Sequence, residues 1–200
     1  MKITNIKQQV KRADRYSVYI DGKFSFALSE TGLLQQGLYT GQELTAQQLA
    51  ALKDDSVRDK ARYLALGQLS RRMRSEWELR DYLKRKGYTP EIIAQTIEWL
   101  AEYGYINDKQ FADAWVANRR LLKATSLRRL RQELRQKHVS DDVINETLAE
   151  DDTDERQTLR DLIKRKQKQT KYQDKLKLMQ YLARQGFNYD DIKSVLDEAY

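Results

Sequence analysis

The sequence predicts a mostly α-helical protein: three tandem three-helix units in an elongated array, preceded by a small N-terminal β-hairpin or sheet region. Three observations predict this. A pattern of capping, apolar and glycine-type positions recurs twice at nearly constant offsets. Four of the eight glycines (Gly22, Gly32, Gly37, Gly41) fall in the first 41 residues among dense β-branched and aromatic side chains, and the single proline, Pro90, lies beyond them. The composition is surface-heavy, with 34% charged residues and only 40% hydrophobic even with tyrosine included, against roughly 45–50% apolar in ordinary domains. That balance suits thin helical layers better than one thick core. Three Trp, 12 Tyr and 4 Phe are too many large apolar side chains for a disordered chain.

The N-terminal region spans 1–45. Tyr16-Ser17-Val18-Tyr19-Ile20 and Lys23-Phe24-Ser25-Phe26-Ala27-Leu28 flank Asp21-Gly22, a strong hairpin signal because both turn residues tolerate positive φ. Val18 and Ile20 share a face with Tyr16. Two strands alone are marginal, so Ile3 to Val10 is expected to add a third, with a short helix near Ser29 to Gln36 covering them. From about Thr45 the chain reads as helix.

The repeat sets Ser75…Leu79…Leu83…Gly87-Tyr88-Thr89…Ile93…Ile97 beside Ser126…Leu130…Leu134…His138-Val139-Ser140…Ile144…Leu148, an offset of 51 throughout; Asp174…Leu178…Leu182…Gly186-Phe187-Asn188…Ile192…Leu196 follows at 48. Each position has a physical reason. Ser75, Ser126 and Asp174 are N-cap types, and Ser75 with Glu78 reads as a capping box. Leucines four apart line one face. Gly87 and Gly186 suit the left-handed residue that ends a helix, followed by the apolar contact of Tyr88, Val139 or Phe187. Thr89, Ser140 and Asn188 cap the next helix, with Pro90 at a first-turn position it tolerates. A preceding helix fits each unit at Val57 to about Met73, Asp108 to Lys123 and Thr153 to Lys168. The units are 46–107, 108–152 and 153–200, with nine helices in all.

The absence of cysteine excludes disulfides, thiolate metal sites and cysteine nucleophiles, and a single histidine, His138, excludes a multi-histidine metal cluster. His138 occupies the glycine position of its repeat and is expected to be a structural C-cap, since histidine is enriched at positive φ. Asp141-Asp142, Asp190-Asp191 and Glu91 fall in first turns, where negative charge complements the helix dipole. There is no P-loop, His-Glu-x-x-His or nucleophile elbow. A non-enzyme without cofactor or metal is expected. The N-terminus has no apolar signal region and no stretch approaches the ~18 apolar residues of a membrane span, so a cytoplasmic protein without membrane contact is expected; a monomer is expected too, although no feature of the sequence bears on oligomeric state.

The formal charge of +7, from 37 Lys+Arg against 30 Asp+Glu, is modest, but it is sorted by helix. Middle helices and their approaches are basic, and third helices are acidic: Glu91, Glu98 and Glu102; Asp141, Asp142, Glu146 and Glu150; Asp190, Asp191, Asp197 and Glu198. Stacked repeats turn such sorting into a basic and an acidic stripe, the first suited to phosphates and the second to protein. The candidate binding residues are Arg71, Arg72, Arg74, Lys84 and Arg85 in the first unit. In the second they are Arg119, Arg120, Arg128, Arg129, Arg131 and Arg135, and in the third Lys164, Arg165, Lys166 and Lys168. Base reading by a helix–turn–helix factor uses the helix after the turn, which here is acidic in all three units. Trp77, Tyr82 and Tyr172 lie among the bases and could stack on single-stranded nucleotides, but their helical spacing favours core packing.

Ser75-x-x-Glu78-Leu79-x-x-x-Leu83-x-x-x-Gly87 followed by Leu100-x-x-x-Gly104-Tyr105-Ile106-Asn107-Asp108-x-x-Phe111-Ala112 resembles the RecX family of bacterial recombination regulators. The resemblance covers roughly 55 to 200, and the N-terminal hairpin resembles that of longer members. It departs at His138, and the third unit matches only in pattern. It implies an array of three-helix units that binds the RecA recombinase, lodges in the groove of its filament on single-stranded DNA, and inhibits strand exchange, ATP hydrolysis and co-protease activity. DNA repair and the SOS response are the implied setting, with single- or double-stranded DNA as a further partner. The other reading is a nonspecific DNA-binding helical-repeat protein acting without a recombinase.

Overall fold

The computed structural model describes residues 1–198. Packing divides the chain into two compact units, one of Met1–Arg74 with Glu78–Tyr105 and the other of Ser75–Trp77 with the chain from Ile106 onward.

The first unit opens with an antiparallel sheet in the order β1 (Ile3–Gln9), β2 (Arg12–Ile20), β3 (Lys23–Ser29). Asp21 and Gly22 both hold positive φ (48° and 81°), as a two-residue type I′ turn requires. The pairing steps from Val18↔Phe26 to Tyr19↔Phe24, so β3 carries a bulge at Ser25. Ser29 caps α1 (Glu30–Gln35), its hydroxyl accepting from the Gly32 amide at 3.0 Å.

The long α2 (Ala46–Leu69) begins well before the expected Val57, because Thr45 and Gln48 form a reciprocal capping box. The added turns are used: Leu52 joins Ile3, Val18, Ile20, Phe26, Leu28 and Leu44 in the sheet's core, with Leu49 packed against it. Each such side chain contributes about 1.5–3 kcal/mol when fully buried. Arg15 fastens sheet to helix. It donates to Asp59 at 3.1 Å and to the Ala27 carbonyl at 3.0 Å, and Asp59 also accepts from the Ser29 amide at 2.8 Å. With Arg15 and Asp59 side chains 3% and 16% exposed, the charges are paired at the point where they are buried. α3 (Glu76–Arg85) and α4 (Pro90–Glu102) follow, and Ala61, Ala65, Leu79, Leu83, Ile93, Ile97 and Leu100 are buried.

In the second unit α5 (Asp108–Leu122), α6 (Leu127–Gln136) and α7 (Asp141–Ala149) enclose one core containing Phe111, Leu130, Leu134 and Ile144. Then α8 (Glu155–Gln167), a 3-10 turn (Thr170–Tyr172), α9 (Lys175–Arg184) and α10 (Tyr189–Asp197) enclose another containing Leu159, Leu178, Leu182 and Ile192. Nine helices from α2 to α10, three to a repeat, thus accompany the short α1 among the described residues.

The middle helices end alike. Gly87, His138 and Gly186 hold φ of 83°, 55° and 92°, and the next amide returns to the carbonyl five residues back: Tyr88 to Leu83 at 3.3 Å, Val139 to Leu134 at 3.2 Å, Phe187 to Leu182 at 3.3 Å. This is the Schellman closure, and it places His138 as the backbone cap the alignment predicted.

Their starts show something that alignment did not. The Ser75 hydroxyl donates to the Lys137 carbonyl at 2.9 Å while the Glu76 amide donates to the Asp108 carboxylate at 2.8 Å. One repeat later the Ser126 hydroxyl donates to the Gln185 carbonyl at 2.8 Å and the Leu127 amide to the Glu155 carboxylate at 3.0 Å. Each serine thus meets a carbonyl at the end of the next middle helix, where intrahelical donors run out. A Cβ at Gly186 would lie 2.6 Å from the Ser126 hydroxyl oxygen, so that position takes glycine for room as well as for φ. At His138 the imidazole instead stacks on Trp77, centroids 4.0 Å apart and planes at 20°. Trp77 remains 41% exposed, which corrects the expectation of core packing for it. Tyr172 does pack against the last core.

Candidate functional site

Most of the candidate cations sit on helices whose apolar face is inward, but α2 ends at Leu69 rather than near Met73, so Arg71, Arg72 and Arg74 lie in the α2–α3 connection, and Lys168 follows α8. The structure divides them all by what each already holds. In the first unit Arg72 makes a two-pronged ion pair with Glu78 (2.9 and 3.0 Å) and donates to the Met73 carbonyl at 2.7 Å. Arg74 is half-buried and donates to Gln68 at 2.9 Å. Burial first, then the neighbouring Arg72 charge, draws its pKa below the ordinary arginine value. Arg85 pairs with Asp81 one turn back at 3.0 Å on the exposed surface, a contact worth little. Arg71 and Lys84 are exposed and without an ion pair among the described residues.

In the second unit Arg120 is structural. Its guanidinium donates to Asp151 at 2.5 and 2.9 Å and to the Thr125 carbonyl at 2.5 Å, with side chains 12% and 7% exposed. Arg119 donates to Glu133 at 2.6 Å and lies 4.6 Å from the Trp115 ring, whose indole N–H also donates to Glu133 at 3.0 Å. Arg129 reaches Glu133 and the Arg184 carbonyl, both at 3.4 Å; Arg131 donates to Asn145; and Arg135 pairs with Asp141 at 2.7 Å. Lys166 lies over Tyr172 and Tyr181. Arg128 on α6, and Lys164, Arg165 and Lys168 along the end of α8, are exposed and hold no ion pair among the described residues.

The sorted charges are therefore partly matched inside the fold. Arg135 joins α6 to the start of α7, Lys175 joins α9 to Asp197 of α10 at 2.9 Å, and Lys109 joins α5 to Glu150 at 2.6 Å. Sequence reasoning could not separate these arginines from free ones, because an exposed cation and a cation facing an acid from another helix have the same local pattern. The remaining free cations can bind an anion. Among the described residues no cluster of three or more His, Asp or Glu is placed to hold a metal, and no helix is long and apolar enough to cross a membrane.

Burial acts to raise the pKa of Glu133, but hydrogen bonds from Arg119 and Trp115 outweigh it and hold the carboxyl below its ordinary value. At Asp151 burial is likewise outweighed, by Arg120 and Thr153. Both groups protonate less readily folded than unfolded. They stabilise the unit above the ordinary carboxylate range, about 4, and that contribution is lost as pH falls through the lowered folded values. Urea midpoints should therefore fall between pH 6 and 3, and less so in Asp151→Asn. An identical acid response in that variant would count against the pair.

Comparison with known proteins adds scale to the geometry. Family models match at 1–45 (regulatory protein RecX N-terminal domain) and at 61–100, 107–148 and 153–196 (RecX first, second and third three-helix domains). Similar relatives include regulatory protein RecX of Clostridium botulinum (strain Alaska E43 / Type E3), 31% identical over 99% of this chain and 96% of the relative. The namesake of Bacillus subtilis (strain 168) is 33% identical over 98% of this chain and 76% of its own length. A crystal structure of regulatory protein RecX superposes with a TM-score of 0.72 at 28% identity, covering 98% of both chains.

Proposed function

We infer the protein's action from one premise: this chain belongs to the RecX family of regulatory proteins. We propose that it binds the RecA recombinase and its filament on single-stranded DNA and inhibits recombinase, ATPase and co-protease activities. The observation that carries this reading is the succession of the N-terminal region and three three-helix domains, in family order, along one chain. The free cations of α6 and α8 support it, since a filament offers nucleic-acid phosphates beside protein surface.

Purified chain added to preformed recombinase filaments should depress ATP turnover in proportion to its amount, reaching its limit near one chain per few protomers. No effect at stoichiometric amounts overturns the reading. Steeply salt-dependent affinity for bare DNA, combined with no effect on the recombinase, favours nonspecific DNA binding instead.

A further inference from the structure

The first unit contains a basic groove that the middle-helix cations do not explain. Lys53, Ser56, Val57 and Lys60 fall at i, i+3, i+4 and i+7 of α2 and so share one helix face. That face, the start of β2 at Arg12, β3 from Phe24 to Ala27 and the α3–α4 turn at Lys86–Thr89 line a groove of about 710 Å³. No carboxylate lines it. The adjacent Asp59 is already held by Arg15 and Ser29. Arg12, Lys53, Lys60 and Lys86 are exposed and form no ion pair among the described residues.

Four such cations brought to one concavity from three parts of the fold repel one another, and a polyanion relieves that repulsion. Aromatic rings accompany them. Phe24 is 59% exposed and set edge-on against Tyr19, centroids 6.1 Å apart, and Tyr88 lies half-buried in the wall. A second cleft of about 560 Å³ shares Arg12 and is lined by Tyr63, Arg71 and Tyr82, and by Asp14, whose carboxylate accepts from the Tyr63 hydroxyl at 3.2 Å. Between them the two clefts border α2 from Lys53 to Gln68, about 22 Å at 1.5 Å per residue.

We propose that this groove binds a single-stranded nucleic-acid segment, with phosphates on Arg12, Lys53, Lys60 and Lys86 and a base against Phe24. A run of carboxylates would satisfy the cations but has no flat face for the ring, and a duplex keeps its base faces stacked inside. The site acts independently of any recombinase.

The test is fluorescence anisotropy of the full chain with a labelled oligothymidylate of about 15 nucleotides, a length within known single-strand site sizes, at several salt concentrations and without recombinase. Lys53→Glu/Lys60→Glu should weaken binding by about tenfold or more and make the slope of log affinity against log salt shallower by about 1.4, two contacts at about 0.7 each. Phe24→Ala should weaken it by about fivefold or more with the slope unchanged, since stacking releases no counterions. Circular dichroism checks folding, and Lys53→Gln/Lys60→Gln replaces the reversal if that variant unfolds. Unchanged affinity and slope in the lysine variants overturn the proposal. So does loss of binding to a polyglutamate peptide with oligothymidylate binding intact. Suppression of recombinase ATPase by the same variants is a separate measurement that bears only on the regulatory reading.

Discussion

Replacing Arg128, Lys164, Arg165 and Lys168 together by Glu is expected to raise the amount of chain needed to halve filament ATP turnover by about tenfold or more, with the far-UV circular dichroism unchanged. All four are exposed and none holds an ion pair among the described residues, so their reversal removes attraction to phosphates without breaking a contact inside the unit. Reversal also adds repulsion, which exceeds the effect of truncation to alanine. The choice of residues matters. Arg129 and Arg131 hold Glu133 and Asn145, so a variant including them would confuse lost binding with a disturbed fold. Full ATPase suppression by a folded quadruple variant would remove these cations from the working surface.

Arg120→Ala should behave in the opposite manner, losing stability first. Removing one member of a buried pair costs about 3–5 kcal/mol because the other charge is left uncompensated. Here Asp151, 7% exposed, loses its donors at 2.5 and 2.9 Å, and the Thr125 carbonyl loses another. At about 2–4 °C per kcal/mol for a chain of this size, the melting temperature should fall by about 10 °C. Arg120→Ala with Asp151→Ala should recover part of the loss. A melting temperature unmoved by Arg120→Ala would show that the pair does not support the fold, returning Arg120 to the candidate surface. Arg120 and Arg128 thus look alike in sequence, both basic residues on amphipathic helices, yet are expected to differ in what their loss does.

Local features were legible where the interaction that sets them is itself local. Asp21-Gly22 implied a hairpin because two consecutive residues must accept positive φ, and both do. His138 was identified as a cap by its place in the repeat, and its φ of 55° follows. The beginning of α2 was less legible. The Thr45 and Gln48 capping box lies in the sequence, but the extra turns exist to lay Leu49 and Leu52 on the sheet, a contact visible only once the sheet is formed. The stack of His138 on Trp77 has no signal in either segment, since the two lie 61 positions apart in the chain. The face shared by Lys53 and Lys60 has helical spacing, yet only the approach of β3 and the α3–α4 turn makes it a groove.

By itself the sequence determined the three repeats, the caps that bound their helices, the hairpin, and the sorting of basic from acidic helices. These depend on residues within a turn or two of each other, where spacing and chemistry suffice. Only the tertiary structure decided which cations stay free. Arg119 and Arg135 meet acids brought from other helices and Arg120 meets Asp151 of the α7–α8 connection, while Arg128, Lys164, Arg165 and Lys168 meet none among the described residues. The physical reason is that an ion pair needs its two groups within about 4 Å, and across helices that distance is set by core packing rather than by neighbours in the chain.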